Sequence, residues 1–140
     1  VKIAPIVSSR RATQLILKMW AHRYGRTADF IVVEGPKAGG HLGFSREQLA
    51  DMENLDYDAE IKDIISCKKI YEEMFNTKIP VIVAGGIFDR QDIDHVIELG
   101  ADGVQIASRL LQPQNVMLLM PISRLILMPE KKTSRLYRVR

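Results

Sequence analysis

Four short apolar runs along the chain alternate with segments that carry apolar residues at helical spacing. The runs are "VKIAPIVSS", "ADFIVVEG", "IPVIVAGGI" and "ADGVQIAS". Their hydropathy is continuous rather than alternating, which is typical of strands buried on both faces of a parallel sheet. The βαβαβαβ order with short connections predicts an α/β fold, built either as a doubly wound sheet or as part of a (β/α)8 barrel.

The segments between the apolar runs are predicted to be helices. The first helix ends at Gly25, and its apolar residues are Leu15, Ile16, Met19 and Trp20. The longest helix is amphipathic, with an apolar face formed by Ile61, Ile64, Cys67, Tyr71 and Met74. Ser45 and Gln48 form a predicted capping box for a short helix, and Asp89 is predicted to cap the last helix, which stops at Gly100.

Glycine-rich or small segments follow three of the strands in turn, and these segments favour the barrel over the doubly wound sheet. Ligands of barrel enzymes bind at the C-terminal ends of the strands, where such segments leave room. A complete barrel takes roughly 250 residues, whereas this chain has 140. We therefore predict a partial TIM (β/α)8 barrel of about four strand-helix units.

Composition excludes several classes of function. Cys67 is the single cysteine, so no internal disulfide forms, no cysteine cluster holds a metal, and a reducing compartment such as the cytoplasm is expected. The N-terminus lacks the apolar region of a signal peptide. No apolar run reaches the roughly 20 residues that cross a bilayer. We expect a cytoplasmic protein with neither a membrane nor a metal site.

The net charge of +3 is concentrated near the C-terminus. Residues 111–140 hold six basic residues and one acid, Glu130, so the rest of the chain is slightly acidic. No aromatic-studded groove or recognition helix accompanies this basic tail. We therefore expect no nucleic-acid partner.

The second strand runs into the glycine-rich stretch "EGPKAGGHLGF", whose histidine is a candidate catalyst. His41 is flanked by Gly39, Gly40 and Gly43, which leave room for a substrate at the mouth of the strand. Histidine titrates close to neutral pH and suits proton transfer. A lone histidine is equally compatible with a structural or surface role. Glu34 ends the same strand and either accepts hydrogen bonds from a ligand or is a solvated loop carboxylate.

Two consecutive strands end in segments that suit a phosphate group. Gly85 and Gly86 follow the third strand, and Ser108 follows the fourth. Backbone amides without neighbouring side chains, together with a hydroxyl, donate well to phosphate oxygens. The alternative is that these glycines only form turns. Because the loops after neighbouring barrel strands commonly hold phosphate, we favour the phosphate site.

The stretches "EGPKAGGHLGF" and "IPVIVAGGIFDRQDIDHVIELGADGVQIASR" resemble the flavin-dependent nitronate monooxygenase family, formerly called 2-nitropropane dioxygenases. That family includes the FMN-dependent enoyl-acyl-carrier-protein reductases. The resemblance runs from about Lys2 through Arg109. It implies a TIM barrel with a small inserted segment, FMN across the strand ends, and a catalytic histidine in the motif "AGGH".

Carried over residue by residue, the resemblance implies that His41 is the base or proton donor beside the flavin. The residues implied to line the isoalloxazine or ribityl part of FMN are Glu34 and Gly39, and Gly40 is implied to bind the cofactor as well. The residues implied to hold its phosphate end are Gly85, Gly86, Gln105, Ile106, Ala107 and Ser108. The family often has Gln where Glu34 stands, and a Gly-Thr pair where Ala107 and Ser108 stand. The carboxylate of Glu34 therefore adds a charge near the flavin.

The resemblance also predicts the domain organisation. Residues 1–109 are expected to form the C-terminal half of an FMN-binding barrel, with Lys2 at about the fifth strand, and the open sheet edges of such a half favour self-association. Residues 110–140 are expected to be an anomalous tail. Codons can be chosen for this tail so that a reading frame shifted by one base contains no stop. The peptide that this shifted frame encodes resembles the usual sequence of the family after its last strand. A frameshift near Leu110 and a divergent disordered tail are the two hypotheses for this segment.

The activity implied by the resemblance is oxidation of alkyl nitronates with oxygen by an FMN-dependent oxidoreductase. The expected partners are thus a small-molecule substrate and oxygen. One alternative is an FMN-dependent enoyl-acyl-carrier-protein reductase, with His41 as the proton donor. Another is an inactive half-barrel remnant that binds FMN or phosphate weakly.

Overall fold

The structure is a computed structural model, and it describes residues 1–38, 43–50 and 55–107. Four strands alternate with helices along this part of the chain. The elements are β1 (Ile6–Val7), α1 (Arg10–Tyr24), β2 (Ile31–Glu34), α2 (Arg46–Ala50), α3 (Tyr57–Phe75), β3 (Val81–Ala84), α4 (Arg90–Glu98) and β4 (Gly103–Gln105). The order confirms the predicted α/β fold.

The four strands form one parallel sheet in the order β1-β2-β3-β4. Strands that neighbour each other in sequence therefore neighbour each other in the sheet, as they do around a barrel, and the order never reverses as it does in a doubly wound sheet. Val7, Val33 and Val83 lie in one register row and are almost fully buried. Val83 lies beside Ile61 of α3 and Val96 of α4, so this row faces the helices.

The helices bury different side chains from some of those predicted. In α1, Thr13 and Leu17 are buried, whereas Leu15 is 57% and Met19 is 44% exposed. In α3, Met74 is 62% exposed and Cys67 is half-buried, while Lys68 is buried with Ile61, Ile64 and Tyr71. The prediction that Met74 lies on the buried face of α3 was wrong, because that face includes Lys68 and does not include Met74.

The helix ends follow the predicted signals closely. Ser9 caps α1, which ends at Gly25 in the left-handed conformation (φ 58°). The Asp89 side chain accepts from the Asp92 amide in a reciprocal capping box, as the sequence predicts. The last helix ends at Glu98 rather than at Gly100. The side chain of Gln48 lies outside the described residues, so the predicted capping box of Ser45 and Gln48 stays a prediction.

A buried polar cluster joins α3 to the N-terminal ends of β3 and β4. The Lys68 ammonium donates to Glu72 Oε1 at 2.8 Å and to the Ile79 carbonyl at 2.7 Å. Glu72 Oε1 also accepts from the Ile79 amide, while Asp102 Oδ2 accepts from the Val81 amide. These bonds hold the starts of both strands, at the end of a barrel sheet that contributes to stability rather than to catalysis.

The polar cluster predicts acid sensitivity. Burial acts to raise the pKa of Glu72 and of Asp102, but the hydrogen bonds and cations around them outweigh it and hold both pKa values below their usual range. A carboxylate with a depressed pKa contributes stability above its unfolded pKa, and that stability is lost as the pH falls through the folded pKa. The urea midpoint should therefore drop as the pH is lowered through and below about 4.

A matched variant separates the polar cluster from the other carboxylates. Asp102→Asn removes one titrating group while keeping its shape, so its urea midpoint should depend less steeply on pH in this acid range than that of the unmodified chain. The exposed Glu98→Gln variant serves as the control. Equal slopes in all three proteins would exclude the polar cluster as the source of the acid sensitivity.

The chain divides into two compact units, residues 1–105 and residues 106–140. All eight elements belong to the first unit, and the second is described only at Ile106 and Ala107. The predicted anomalous tail, residues 110–140, lies outside the described residues. None of the helices in the described part is long and apolar enough to cross a membrane.

Candidate functional site

Two polar candidate residues share one register row at the C-terminal end of the sheet. Glu34 of β2 pairs with Ala84 of β3, and Ala84 pairs with Gln105 of β4. This is the Glu34–Ala84–Gln105 row. Neighbouring strands lie about 4.8 Å apart, so the row spans roughly 10 Å. Glu34 is half-buried and Gln105 is exposed. Because side chains alternate along a strand, the row lies on the face opposite to that of Val33 and Val83.

The turn after β2 packs directly against the loop after β3. The Gly35 amide donates to the Ala84 carbonyl, and the Ala38 amide donates to the Gly35 carbonyl, both at 2.9 Å. A Cβ on Gly85 would lie 2.7 Å from the Ala38 nitrogen. Gly85 and Gly86 both have positive φ, at 86° and 80°. Gly85 thus allows a close approach of two backbones, and both glycines adopt a conformation that other residues rarely adopt.

The other end of the glycine-rich stretch meets β1. A Cβ on Gly43 would lie only 1.7 Å from Ser8 Oγ, directly after that strand. Ala38 and Gly43 therefore tie the two described ends of this stretch to the loop after β3 and to the end of β1. Gly39, Gly40 and His41 lie between these two contacts in sequence and outside the described residues.

The structure brings together four of the sequence-predicted site residues. Glu34, Gly85, Gly86 and Gln105 all lie at the C-terminal edge of the sheet. Ile106 and Ala107 follow Gln105 in the second unit, where Ile106 is half-buried and Ala107 is exposed. Ser108 lies outside the described residues, so its predicted role, like that of His41, stays a prediction.

Tyr57, which is not among the sequence-predicted site residues, supports the turn after β2. Its ring lies beneath Gly35, where an added Cβ would be 2.9 Å from a ring carbon. Its hydroxyl donates to the Val33 carbonyl at 3.4 Å. Burial, followed by the charges of Glu34 and Glu60, holds the pKa of Tyr57 above its usual range, so the hydroxyl stays a donor. The Asp56 cap on α3 is the sequence signal that would have included Tyr57 in the helix.

We expect the ring of Tyr57 to matter more than its hydroxyl. Tyr57→Phe keeps the ring against Gly35 and loses one long hydrogen bond, so it should lower the free energy of unfolding by about 1 kcal/mol or less. Tyr57→Leu leaves space beneath Gly35 and should cost about 2–4 kcal/mol. Urea unfolding of the two variants measures both effects. Equal losses would show that the ring does not support the turn.

A cavity of about 250 Å³ borders the same glycine loop on its helix side. Its walls include Gly85, Gly86 and Lys37, with His95 of α4 and Asp58 of α3 close to each other. His95 Nε2 lies 2.8 Å from Asp58 Oδ2, and both side chains are about half exposed. His95 therefore links α4 to the start of α3, and no motif in the sequence marks it.

The residues after β3 fit a phosphate group. Within the described ranges, no residue accepts a hydrogen bond from the Gly85 or Gly86 amide, and backbone amides of this kind suit phosphate oxygens. Within the described ranges, no three His, Cys, Asp or Glu side chains are grouped as a metal ion would require. The arrangement can therefore bind an anionic group through backbone amides beside the Glu34–Ala84–Gln105 row.

Comparison with known protein families gives a match to nitronate monooxygenase over residues 1–129. The chain belongs to this family. The predicted resemblance to the family is thus confirmed. The matched range extends beyond Arg109, the predicted end of the resemblance. The predicted division of the chain at residue 109 stays a prediction.

Curated relatives and a solved structure are similar to parts of this family member. A "Probable nitronate monooxygenase" of Staphylococcus aureus strain JH9 is 36% identical over 90 residues, which cover 62% of this chain and 22% of the relative. The proteins of strains Newman and COL give the same values. The chain thus spans about a fifth of the length of these relatives.

The solved structure of a FabK point mutant from Thermotoga maritima matches with a TM-score of 0.52 and 25% sequence identity. The match covers 81% of this chain and 30% of FabK. Together with the consecutive parallel order of the strands, it identifies the sheet as part of a (β/α)8 barrel, as predicted.

Proposed function

We propose that this chain is part of an FMN-dependent oxidoreductase that oxidises alkyl nitronates with oxygen. The observation that carries the proposal is the Glu34–Ala84–Gln105 row beside the Gly85–Gly86 loop, in a member of the nitronate monooxygenase family. A barrel of this fold binds its ligands at the C-terminal ends of its strands. The Glu34–Ala84–Gln105 row places two polar side chains there.

The chain's own residues would divide the cofactor between two regions. The Gly85 and Gly86 amides would donate to the phosphate, together with the segment formed by Gln105, Ile106, Ala107 and Ser108. Glu34, Gly39 and Gly40 would line the ring or the ribityl chain. When bound, FMN supplies electron acceptance from the substrate and reoxidation by oxygen.

His41 would hold or move the proton of the reaction. Histidine imidazoles in general exchange a proton near neutral pH, so either nitrogen can serve as acceptor or donor beside a substrate. The contacts of Ala38 with Gly85 and of Gly43 with Ser8 support this role, because they fix both ends of the stretch that carries His41. Positioning of this kind is what general acid–base catalysis requires.

The test is oxygen consumption with an alkyl nitronate as substrate. His41→Ala should lower turnover by about 10²- to 10⁴-fold, because that is the usual contribution of a general acid or base. His22→Ala, which changes an exposed histidine of α1, should leave turnover unchanged. Each variant is assayed at equal FMN content. Unchanged turnover in His41→Ala would contradict the proposed role of His41, and no turnover in the unmodified chain would show that this part alone does not carry out the reaction.

The second candidate function is an FMN-dependent enoyl-acyl-carrier-protein reductase. It is favoured by the same "AGGH" motif, since the family resemblance includes reductases of this class and His41 would donate the proton. An assay with an enoyl thioester and NAD(P)H, run beside the nitronate assay, separates the two activities. A chain inactive in both assays that still binds FMN weakly would fit the half-barrel remnant.

Two further expectations are part of this proposal. The outer edge of β1 pairs with no described strand, and an unpaired edge of a parallel sheet favours association with another chain. We therefore propose that the chain on its own self-associates. We also propose a cytoplasmic location, because Cys67 is the single cysteine and suits a reducing compartment.

A further inference from the structure

Glu34 is a half-buried carboxylate without a counter-charge among the described residues. It ends β2 in register with Ala84, and no described residue forms an ion pair or a hydrogen bond with its side chain. A carboxylate withdrawn from water normally has such a partner, since an unpaired buried charge is costly. Among the described residues, the charge of Glu34 is therefore not offset by an ion pair, and it can act on a group bound along its row.

Among the described residues, the neighbours of Glu34 in its register row carry no positive charge. Across the sheet, the neighbours in its row are the methyl group of Ala84 and then the neutral amide of Gln105. On the helix side, Tyr57 is held as a neutral phenol partly by the charge of Glu34. The negative charge of Glu34 thus lies at one end of a row whose other two residues are uncharged.

We propose that Glu34 sets the redox preference of the site, by disfavouring negative charge on a ring bound along the Glu34–Ala84–Gln105 row. This inference rests on the proposed function. Two-electron reduction of FMN with uptake of one proton leaves one added negative charge on the ring. A fixed carboxylate nearby therefore weakens binding of the reduced form relative to the oxidised form, and lowers the reduction potential of the bound cofactor.

The isosteric variant Glu34→Gln isolates this effect. It keeps the shape of the side chain and an accepting oxygen while removing the charge. We expect the affinity for reduced FMN, relative to oxidised FMN, to rise about tenfold, which corresponds to a potential about 30 mV higher for a two-electron couple. Glu34→Asp keeps the charge, so the reduction potential of FMN bound to it should stay close to that of FMN bound to the unmodified chain.

The measurement is reductive titration with dithionite against a reference dye, after the dissociation constant for oxidised FMN has been determined by fluorescence. Glu98→Gln, at an exposed position at the end of α4, removes the same charge away from the site and should leave the potential unchanged. A Glu34→Gln potential equal to that of the unmodified chain, or an equal rise in Glu98→Gln, would overturn the inference alone. Absence of FMN binding by the unmodified chain would overturn the proposed function, and this inference with it.

Discussion

Lys68→Ala should lower the free energy of unfolding by about 3–5 kcal/mol, the usual cost of removing one partner of a buried ion pair. The Lys68 side chain is 7% exposed, and its ammonium lies 2.8 Å from Glu72 Oε1 and 4.0 Å from Asp102 Oδ2. Without the ammonium, the Ile79 carbonyl loses its donor and the two carboxylates lose their shared cation. The truncated stem also leaves a gap between α3 and the start of β3.

Two variants show which part of Lys68 is responsible. Lys68→Met keeps an apolar stem of similar length and loses only the charge and its hydrogen bonds, so its loss should be smaller than that of Lys68→Ala. Lys69→Ala changes an exposed neighbour on the same helix and should alter stability by at most about 0.5 kcal/mol. Urea unfolding at neutral pH compares the three. A Lys68→Ala loss no larger than that of Lys69→Ala would exclude a stabilising role for the polar cluster.

Gly85→Ala should weaken FMN binding by about tenfold or more, which corresponds to about 1.4 kcal/mol. The new Cβ would lie 2.7 Å from the Ala38 nitrogen and 2.8 Å from its Cα, both of which are backbone atoms. The positive φ of Gly85 adds strain for any other residue. The turn after β2 must move to relieve the contact, and the amide of Gly85 and the stretch leading to His41 are displaced together.

Gly25→Ala is the matched control for this substitution. Gly25 also has a positive φ, but a Cβ there meets nothing within 4 Å. It should therefore cost about 1–2 kcal/mol of stability through backbone strain and leave FMN affinity unchanged. Both variants are compared by fluorescence titration and urea unfolding. FMN affinity in Gly85→Ala equal to that of the unmodified chain would contradict a role for this loop in binding.

The fold was predictable because its signals are local. Continuous apolar runs fix strands that are buried on both faces, and Gly25 and Asp89 mark helix ends through their own backbone and side-chain chemistry. Hydropathy alone did not fix the buried face of α3. Met74 is apolar but exposed, and Lys68 is charged but buried, because its stem packs in the core while its head finds carboxylates from two segments.

The candidate site was predictable only in part. Gly85, Gly86 and Glu34 follow from the rule that parallel strands end at the same edge of the sheet, whereas Gln105 follows only from the family resemblance. The contact of Gly85 with Ala38 depends on how two distant loops pack, which no spacing in the sequence reveals. The support that Tyr57 gives to the turn after β2 is a contact of the same kind. That the described neighbours of Glu34 in its row, Ala84 and Gln105, are uncharged also becomes visible only in the structure.

Titration of the purified chain with FMN tests the central claim most directly. We expect saturable binding with a shifted flavin absorbance spectrum and quenched fluorescence, and weaker binding of riboflavin, which lacks the phosphate that the Gly85 and Gly86 amides would hold. A folded chain that binds neither flavin would contradict the claim that this part of the barrel holds the cofactor. Equal affinity for FMN and riboflavin would contradict the phosphate site.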